Sequence, residues 1–367
     1  MKCESQHATG ACILAPTMEH AMATPRCHLV DEVVTPWYHC VSRCVRKAFL
    51  CGEGHSHRKD WIEARLRELV DLFALDCAGF AIMDNHLHLL LRLDSQRAQN
   101  WSNEEVARRW LTLFPVRDVA GKALPISPNR VTELAGNPAW VATVRGRLSN
   151  LGWFMKCLKE PLARMANKED GCSGAFWESR FRSVAVLDEE SLLATATYID
   201  LNPVAAGLAP TPESSEHTSL HERIEHCQRN GTLATIRDDL SSMTSDPAQE
   251  ADLWLLPLED MRAQGSSRAG MVEGCTFSCY LRLVDWTSRL VRDGKASLDP
   301  QIISIFERLG IECSAWEETV AKLFVPTRRS GSHFGTPKRL REAAQAHHRH
   351  WHRNQFRRVP HPAPSVA

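Results

Sequence analysis

Two histidines separated by a single residue, His86 and His88, are the side chains of this sequence best suited to metal chemistry. They lie in DNHLHLLLRL (residues 84–93), a pattern typical of a strand. Side chains on a strand alternate between its two faces, so the histidines share one face with Leu90 and Arg92. The opposite face carries Leu87, Leu89, Leu91 and Leu93. Paired imidazoles on one face are a candidate site for a divalent cation, although most isolated strand histidines bind nothing.

The residues before the histidine pair predict a β-hairpin. Residues 75–83 also read as a strand, and Asp84 and Asn85 supply a two-residue turn of types that tolerate positive φ. His86 then begins the second strand, near the turn.

Composition narrows the class of protein. A chain of 367 residues is long enough for about two domains. Lysine plus arginine and aspartate plus glutamate both total 44, so the net charge indicates no polyanion partner. No apolar run has the length of a membrane span and residues 1–27 lack a signal-peptide pattern, which predicts a cytoplasmic protein without a membrane partner. The thirteen cysteines contain no Cys-x-x-Cys pair and indicate neither a disulfide framework nor a zinc finger.

The coarse order of elements predicts an α+β fold with helices on one face of an antiparallel sheet. Strands are expected at 35–45, 75–83, 86–93 and 176–187, and an amphipathic helix at 58–75. A capping box at Ser102 begins a helix that reaches Leu113, and residues 115–137 read as a loop. A long helix over 140–167 contains Pro161, which we expect to kink or divide it.

A second candidate site residue lies on a later helix. Asp188 is the expected N-cap, and Asn202-Pro203 and Gly207 are expected to end the helix. Ser191, Thr195, Tyr198 and Asn202 then form a polar stripe. A phenol beside a metal-bound phosphodiester can attack phosphorus and form a phosphotyrosine. Asn202 lies one turn after Tyr198, so its amide oxygen can approach the same metal. The alternatives are a packing role for Tyr198 and a helix-end role for Asn202.

Three motifs in order, residues 85–88 (NHLH), 176–181 (FWESRF) and 198–204 (YIDLNPV) with Gly207, resemble the REP-associated tyrosine transposases. These belong to the HUH single-strand nucleases, alongside the single-tyrosine insertion-sequence transposases. The resemblance covers residues 30–215. It implies a ferredoxin-like antiparallel sheet flanked by helices, the HUH nuclease fold. It also implies that His86 and His88 bind Mg²⁺ or Mn²⁺ with help from Asn202, and that Tyr198 is the nucleophile.

The function implied by this resemblance is cleavage of single-stranded DNA near palindromic hairpins, leaving a 5′-phosphotyrosine and a free 3′-hydroxyl, in DNA transposition or the mobilisation of repeats. Two alternatives stay open. One is a domesticated protein that binds hairpin DNA or RNA without cutting it. The other is a metal hydrolase that uses water as the nucleophile. The expected partner of the leading function is single-stranded hairpin DNA, bound by a monomer or a homodimer.

The same reading divides the chain into a flexible leader (1–29), a transposase domain (30–215) with an inserted region (95–140), a connecting region (216–274), a helical domain (275–358) and a tail (359–367). Residues 327–358 hold nine lysines and arginines against one acid, Glu342. Such a segment suits a DNA backbone, or is simply a solvated tail. The candidate DNA-binding residues are Arg43, Trp177, Arg180, Arg182, Lys338, Arg339 and Arg341, with a core position as the alternative for Trp177.

Overall fold

The computed structural model describes residues 30–232, 252–264, 269–293, 300–324 and 331–347. The expected leader (1–29) and tail (359–367) lie outside these residues. Five strands form one sheet in the order β2-β3-β1-β4-β5. The strands are β1 (Trp37–Arg43), β2 (Leu75–Ile82), β3 (His86–Leu93), β4 (Arg182–Val186) and β5 (His333–Phe334). The expected α+β class is confirmed.

The sheet is mixed. β1 pairs antiparallel with β3 and with β4, and β2 pairs antiparallel with β3. The expectation of a purely antiparallel sheet is wrong at one edge, because β5 runs parallel to β4. This two-residue strand comes from the basic C-terminal segment, and it is too short to show a strand pattern in the sequence.

Twelve α-helices are described, and they cover both faces of the sheet rather than one. They are α1 (His57–Leu72), α2 (Ser95–Gln99), α3 (Asn103–Leu113), α4 (Pro128–Ala135), α5 (Pro138–Leu148), α6 (Leu151–Glu169), α7 (Glu189–Ala205), α8 (Ser219–Arg229), α9 (Phe277–Asp293), α10 (Pro300–Leu309), α11 (Cys313–Phe324) and α12 (Pro337–Ala346). Among the described residues, no helix combines the length and the apolar character needed to cross a bilayer.

The two faces of β3 are used as the alternation predicts. Its four odd-numbered leucines (87, 89, 91 and 93) lie in one hydrophobic cluster with α1 and α6. Leu90 lies in a second cluster with α7 and the C-terminal helices. The apolar back of the strand therefore fixes which way the two histidines point.

The β2–β3 hairpin is confirmed, but its turn is stabilised differently from the expectation. Neither Asp84 nor Asn85 has a positive φ. Instead, Lys59 forms a salt bridge of 2.7 Å with Asp84, and the Asn85 side chain donates to the Lys47 carbonyl at 3.1 Å. These contacts attach the turn to α1 and to the segment after β1.

Several element boundaries differ from the expectation. The helix expected over 140–167 is two helices, α5 and α6, because the Asn150 side chain accepts from the Trp153 amide and starts a new helix. Pro161 lies inside α6 without dividing it. The loop expected over 115–137 contains α4. The strand expected from residue 176 is regular only from Arg182, and its earlier part makes a single bridge, Trp177 to Cys44.

Helix α7 is buried on nearly all sides. The Asp188 side chain accepts from the Ser191 amide at 2.9 Å, which confirms the expected N-cap. The helix continues through Pro203 to Ala205, so Asn202-Pro203 does not end it. Gly207, the other expected stop, follows the C-cap Ala206 with a φ of 71°. It packs on β2 and β3 with one side and against α9 and α11 with the other. Ser191 and Thr195, expected on a polar stripe, are therefore buried, and the Thr195 hydroxyl donates to the Ser191 carbonyl.

The C-terminal helices share the core of the sheet. Tyr280 of α9 and Trp316 of α11 are fully buried in the same cluster as Leu90 and Val184. α12 begins beside the end of β4, where the Thr336 amide donates to Asp188 at 2.7 Å. The expected domain boundaries stay predictions, but the described parts of residues 277–346 share the core of the sheet that carries the histidine pair.

Candidate active site

The candidate site lies at the end of the sheet where β1 ends and β3 and β4 begin. In the strand register, Arg43 stands opposite His86, and Val41 stands opposite both His88 and Arg182. Because these positions have the same parity along paired strands, their side chains share the face that α7 covers. The register thus collects two imidazoles and two guanidinium groups on one patch of sheet.

The two imidazoles of the pair are neighbours with different surroundings. The ring centroids of His86 and His88 are 4.8 Å apart. His86 is partly exposed, whereas His88 is only 4% exposed. The Nδ1 atom of His88 lies 2.9 Å from the Nε2 atom of His39, a residue of β1. The Nε2 atom of His88 is buried and has no hydrogen-bond partner among the described residues.

Burial keeps these imidazoles neutral. Burial and the nearby Arg43 together lower the pKa of His86 to about 4. The pKa of His39 is lowered to about 3 by burial and by Arg182. Burial, together with His86 and His39, holds the pKa of His88 well below its ordinary value. A neutral imidazole has a free lone pair, which is the form that binds a metal ion.

Tyr198 faces the histidines from α7. Within the stretch 191–201 of this helix, it is the one side chain that is not buried. Its ring centroid is 5.5 Å from that of His88 and 6.0 Å from that of His39. The ring of Phe324, at the end of α11, packs on it with a centroid distance of 5.1 Å. The Tyr198 hydroxyl makes no hydrogen bond with the described residues.

Asn202 lies one turn further along α7 and reaches the other histidine. Its Nδ2 atom donates to the Tyr198 carbonyl at 3.0 Å. Its side chain also interacts with that of His86, which partly offsets the lowering of the His86 pKa. The Nδ1 atom of His86 lies 2.6 Å from the Asn85 amide oxygen.

These residues fit a divalent cation. Neighbouring ligands of an octahedral ion with bonds of about 2.1 Å lie about 3 Å apart, which is hydrogen-bond distance. The side chains of His86 and Asn202 are close enough to interact. His88 adds a buried nitrogen with no hydrogen-bond partner among the described residues, an arrangement that costs free energy unless a ligand uses it. Two imidazole nitrogens and one amide oxygen would leave other coordination positions for water or substrate.

The positive groups of the site are Arg43 and Arg182. Both are exposed, and the Arg182 charge interacts with Arg43 and with Tyr198. Arg182 also donates to the Gly331 carbonyl at 3.4 Å, which connects it to the segment before β5. These two guanidinium groups make the exposed side of the histidine patch positive, and a positive patch can bind an anion such as a phosphodiester.

Trp177 and Arg180 lie beside this patch rather than in it. The backbone bridge from Trp177 to Cys44 places the segment 177–180 next to Arg43. The Trp177 indole donates to the Lys159 carbonyl at 3.0 Å, and one side of it packs on the hydrophobic core. Arg180 is exposed. The Trp177 ring therefore packs on the core, as one of the two expectations had it, and is also partly exposed at the surface.

The structure does not bring Lys338, Arg339 and Arg341 to the site. Arg339 donates to the Leu187 carbonyl at 2.9 Å, so α12 is attached to the end of β4 that is remote from Arg182. Leu187 follows Arg182 by five positions, which is about 16 Å along the strand direction. DNA binding by these three residues stays a prediction, for a different surface from that of the histidines.

His39 is the site residue that sequence reasoning missed. It lies in the expected first strand, two residues before Val41 and four before Arg43, and so shares their face. The alternation alone could have placed it toward the histidine pair once the pairing of β1 with β3 was known. The pairing itself is not readable from a single sequence.

Another cluster of possible ligands, formed by His55, Glu169 and Asp170, is explained without a metal. Arg58 donates to both carboxylates, and His57 lies 2.8 Å from Glu169. Since a guanidinium already occupies the space between the two acids, the cluster is an ion-pair network that joins α1 to the end of α6.

Comparisons with known proteins give one likeness. No protein-family model matches the sequence, and no curated protein matches it. Among solved structures, the chain is similar to one described as a REP-associated tyrosine transposase bound to a REP hairpin. The TM-score is 0.30 at 11% identity, over 52% of this chain and 78% of that chain. A likeness of this size shows neither a shared family nor a shared function.

Proposed function

We propose that this protein is a metal-dependent transesterase that cleaves single-stranded DNA beside a hairpin, with Tyr198 as the nucleophile. One observation carries the proposal. The phenol ring of Tyr198 lies 5.5 Å from the ring of His88, a buried histidine whose Nε2 atom has no hydrogen-bond partner in the described part of the chain. The motif order described above supports the same assignment.

The topology supports assignment to the ferredoxin-like HUH nuclease fold. The chain passes through β1, α1, β2 and β3, then through α2–α6 to β4. The first four strands lie in the order β2-β3-β1-β4, and each is antiparallel to its neighbours in this order. On this assignment, α2–α5 are additions between β3 and α6, and β5 is an addition at the β4 edge.

His86, His88 and Asn202 would hold Mg²⁺ or Mn²⁺. The bound cation would supply Lewis acidity at a phosphoryl oxygen and help to orient the phosphodiester. The guanidinium groups of Arg43 and Arg182 bind the phosphate charge.

The step conducted by Tyr198 is a displacement at phosphorus. The phenol oxygen forms a bond to phosphorus and loses its proton to water. The bond from phosphorus to the 3′-oxygen of the preceding nucleotide breaks, and that oxygen takes up a proton. The products are a 5′-phosphotyrosine and a free 3′-hydroxyl. Because the phosphodiester energy is kept in the tyrosyl ester, a 3′-hydroxyl can reverse the step or join a different strand.

A denaturing gel tests this proposal. The protein is incubated with Mn²⁺ and end-labelled hairpins with single-stranded flanks, drawn from a library of palindromic repeats of its own genome. We expect a covalent protein–DNA adduct that Tyr198→Phe abolishes. Tyr38→Phe is the matched control, because Tyr38 is buried in the core and should leave the adduct unchanged. His86→Ala and His88→Ala should lose the adduct while staying folded.

Two results would contradict the proposal. If wild-type protein gives no adduct with any hairpin, then the transesterase is wrong. If cleavage persists in Tyr198→Phe and is lost in His86→Ala, then water is the nucleophile and the protein is a metal hydrolase.

A second candidate function is favoured by the position of Phe324. This ring packs on Tyr198 and covers part of the proposed nucleophile. A protein that binds hairpin DNA or RNA without cutting tolerates such a cover, whereas an enzyme must displace it. This alternative predicts salt-sensitive hairpin binding that Tyr198→Phe and chelation leave unchanged, with no adduct in the wild type.

A further inference from the structure

Outside the candidate site, one surface combines exposed aromatic rings with basic side chains. We name it the aromatic–basic surface, and its members come from α3, α5, α6 and the segment before β4: Trp110, Arg147, Trp153, Lys156, Lys159 and Trp177. None of these residues has a role in the proposed metal binding, nucleophilic attack or phosphate binding. Trp177 is a candidate DNA-binding residue from the sequence.

The members contact one another in series. The ring centroids of Trp110 and Trp153 are 5.7 Å apart. The Arg147 guanidinium lies 5.4 Å from the Trp110 centroid and 4.6 Å from that of Trp153. Lys156 lies 4.8 Å from the Trp153 centroid. Further along α6, Lys159 lies 5.2 Å from the centroid of Trp177.

The surface is accessible and positive. Trp110, Trp153 and Trp177 are all partly exposed, and Lys156 is exposed. Arg147 and Lys156 form no ion pair with the described residues, so their charges are available to a ligand. The indole faces and the cations beside them are therefore open to a ligand together.

The surface continues from the candidate site. Trp177 pairs through its backbone with Cys44, which follows Arg43, and Arg43 stands opposite His86. From there the members follow α6 toward its start. Lys159 and Trp153 are six residues apart on this helix, about 9 Å along its axis. A strand leaving the histidine patch past Trp177 would therefore meet the whole series.

We propose that the aromatic–basic surface binds the single-stranded DNA that flanks the hairpin, and this inference rests on the proposed function. Trp110 and Trp153 offer faces on which unpaired bases stack, a contact that every base can make. Arg147 and Lys156 lie beside those faces and attract the phosphates between the bases. The guanidinium of Arg147 is held in place by two indole rings, so little freedom is lost when it binds.

The test measures binding of a labelled oligothymidine with no hairpin to the full-length protein, by fluorescence anisotropy across a salt series. We expect Lys156→Glu to weaken binding about tenfold and to reduce the slope of log affinity against log salt by about 1. Trp153→Leu should weaken binding about tenfold through lost stacking. Arg289→Glu is the matched control, because it makes the same charge change at an exposed position of α9 and should bind as wild type.

The outcomes separate this inference from the proposed function. Unchanged oligothymidine affinity in folded Lys156→Glu and Trp153→Leu overturns the inference, even where the Tyr198 adduct forms normally. Absence of the adduct, with oligothymidine binding that depends on Lys156, overturns the transesterase and leaves the binding surface standing. Two competitors test whether single-stranded DNA is the wrong ligand. If polyglutamate displaces the labelled oligothymidine as efficiently as unlabelled oligothymidine does, the ligand is an acidic protein. If oligouridine displaces it more efficiently than unlabelled oligothymidine does, the ligand is RNA.

Discussion

The Nε2 atom of His39 lies 2.9 Å from the Nδ1 atom of His88, and their rings stack with centroids 5.1 Å apart. Both imidazoles are neutral at neutral pH, so a single N–H is shared between these two nitrogens. When His88 donates it, the lone pair of His88 is left on Nε2, the buried atom to which no described residue forms a hydrogen bond. Metal-binding histidines are commonly oriented in this way by a partner at their second nitrogen.

His39 is therefore expected to act as a positioning residue. His39→Phe keeps an aromatic ring but removes the acceptor, and it should weaken Mn²⁺ affinity by about 10-fold to 100-fold. Titration calorimetry measures the affinity, and thermal unfolding in EDTA checks that the variant is folded. His39→Gln retains an amide oxygen as acceptor and should restore part of the affinity. Wild-type affinity in folded His39→Phe would show that His39 only packs.

Acid should destabilise the metal-free protein through the same imidazoles. The folded-state pKa is about 4 for His86 and about 3 for His39, against about 6.5 in an unfolded chain. The unfolded state then binds more protons below pH 6.5, so stability is complete above that pH and falls as pH decreases toward 4. The charged groups that face these imidazoles are Arg43, Arg182 and Asp84.

Urea unfolding in EDTA at pH 7 and pH 5 measures this effect. Each buried imidazole contributes at most about 1.4 kcal/mol per pH unit within the window. His39→Phe removes one of them, so its loss of stability between the two pH values should be smaller than that of the wild type. Equal losses in the two proteins would mean that His39 is not buried as a neutral imidazole.

The helix that carries Tyr198 is anchored by a buried carboxylate. Asp200 accepts from the Tyr280 hydroxyl at 2.5 Å and from the Ser219 hydroxyl at 2.6 Å, and burial raises its pKa. Tyr280→Phe leaves one acceptor of this carboxylate without its donor, which should lower the free energy of unfolding by about 1–3 kcal/mol. Denaturant unfolding measures the loss.

Adduct formation distinguishes anchoring from chemistry in that variant. Among the described residues, no hydrogen bond or ring contact joins Tyr280 to the histidines or to Tyr198, so folded Tyr280→Phe should still form the Tyr198 adduct. A change in stability below about 0.5 kcal/mol would contradict the anchoring role.

The sequence predicted which residues share a face within one element better than it predicted the contacts between elements. Alternation along β3 placed His86 and His88 on one face, and the spacing on α7 placed Tyr198 and Asn202 one turn apart, because both patterns depend on neighbouring residues. The contact of His39 with His88 depends on the pairing of β1 with β3, which no local pattern encodes. Burial of Ser191 and Thr195 depends on α9 and α11, which return to cover α7 from more than seventy residues away.

Metal removal should separate binding from cleavage. EDTA should abolish the Tyr198 adduct, because the free imidazoles of His86 and His88 cannot polarise a phosphoryl oxygen. Added Mn²⁺ should restore it at lower concentration than Mg²⁺, because two imidazole nitrogens suit a first-row transition ion better than the harder Mg²⁺. Quantifying the adduct on denaturing gels across a series of both ions gives the order.

The control for this series is hairpin binding by Tyr198→Phe, measured by anisotropy in EDTA. The two arginines and the aromatic–basic surface need no cation, so binding should be largely retained when the adduct is lost. Adduct formation that survives EDTA would remove the cation from the proposal and leave Arg43 and Arg182 as the only groups near the phosphate. Restoration by Mg²⁺ at lower concentration than by Mn²⁺ would show that oxygen ligands, and not the paired imidazoles, dominate the site.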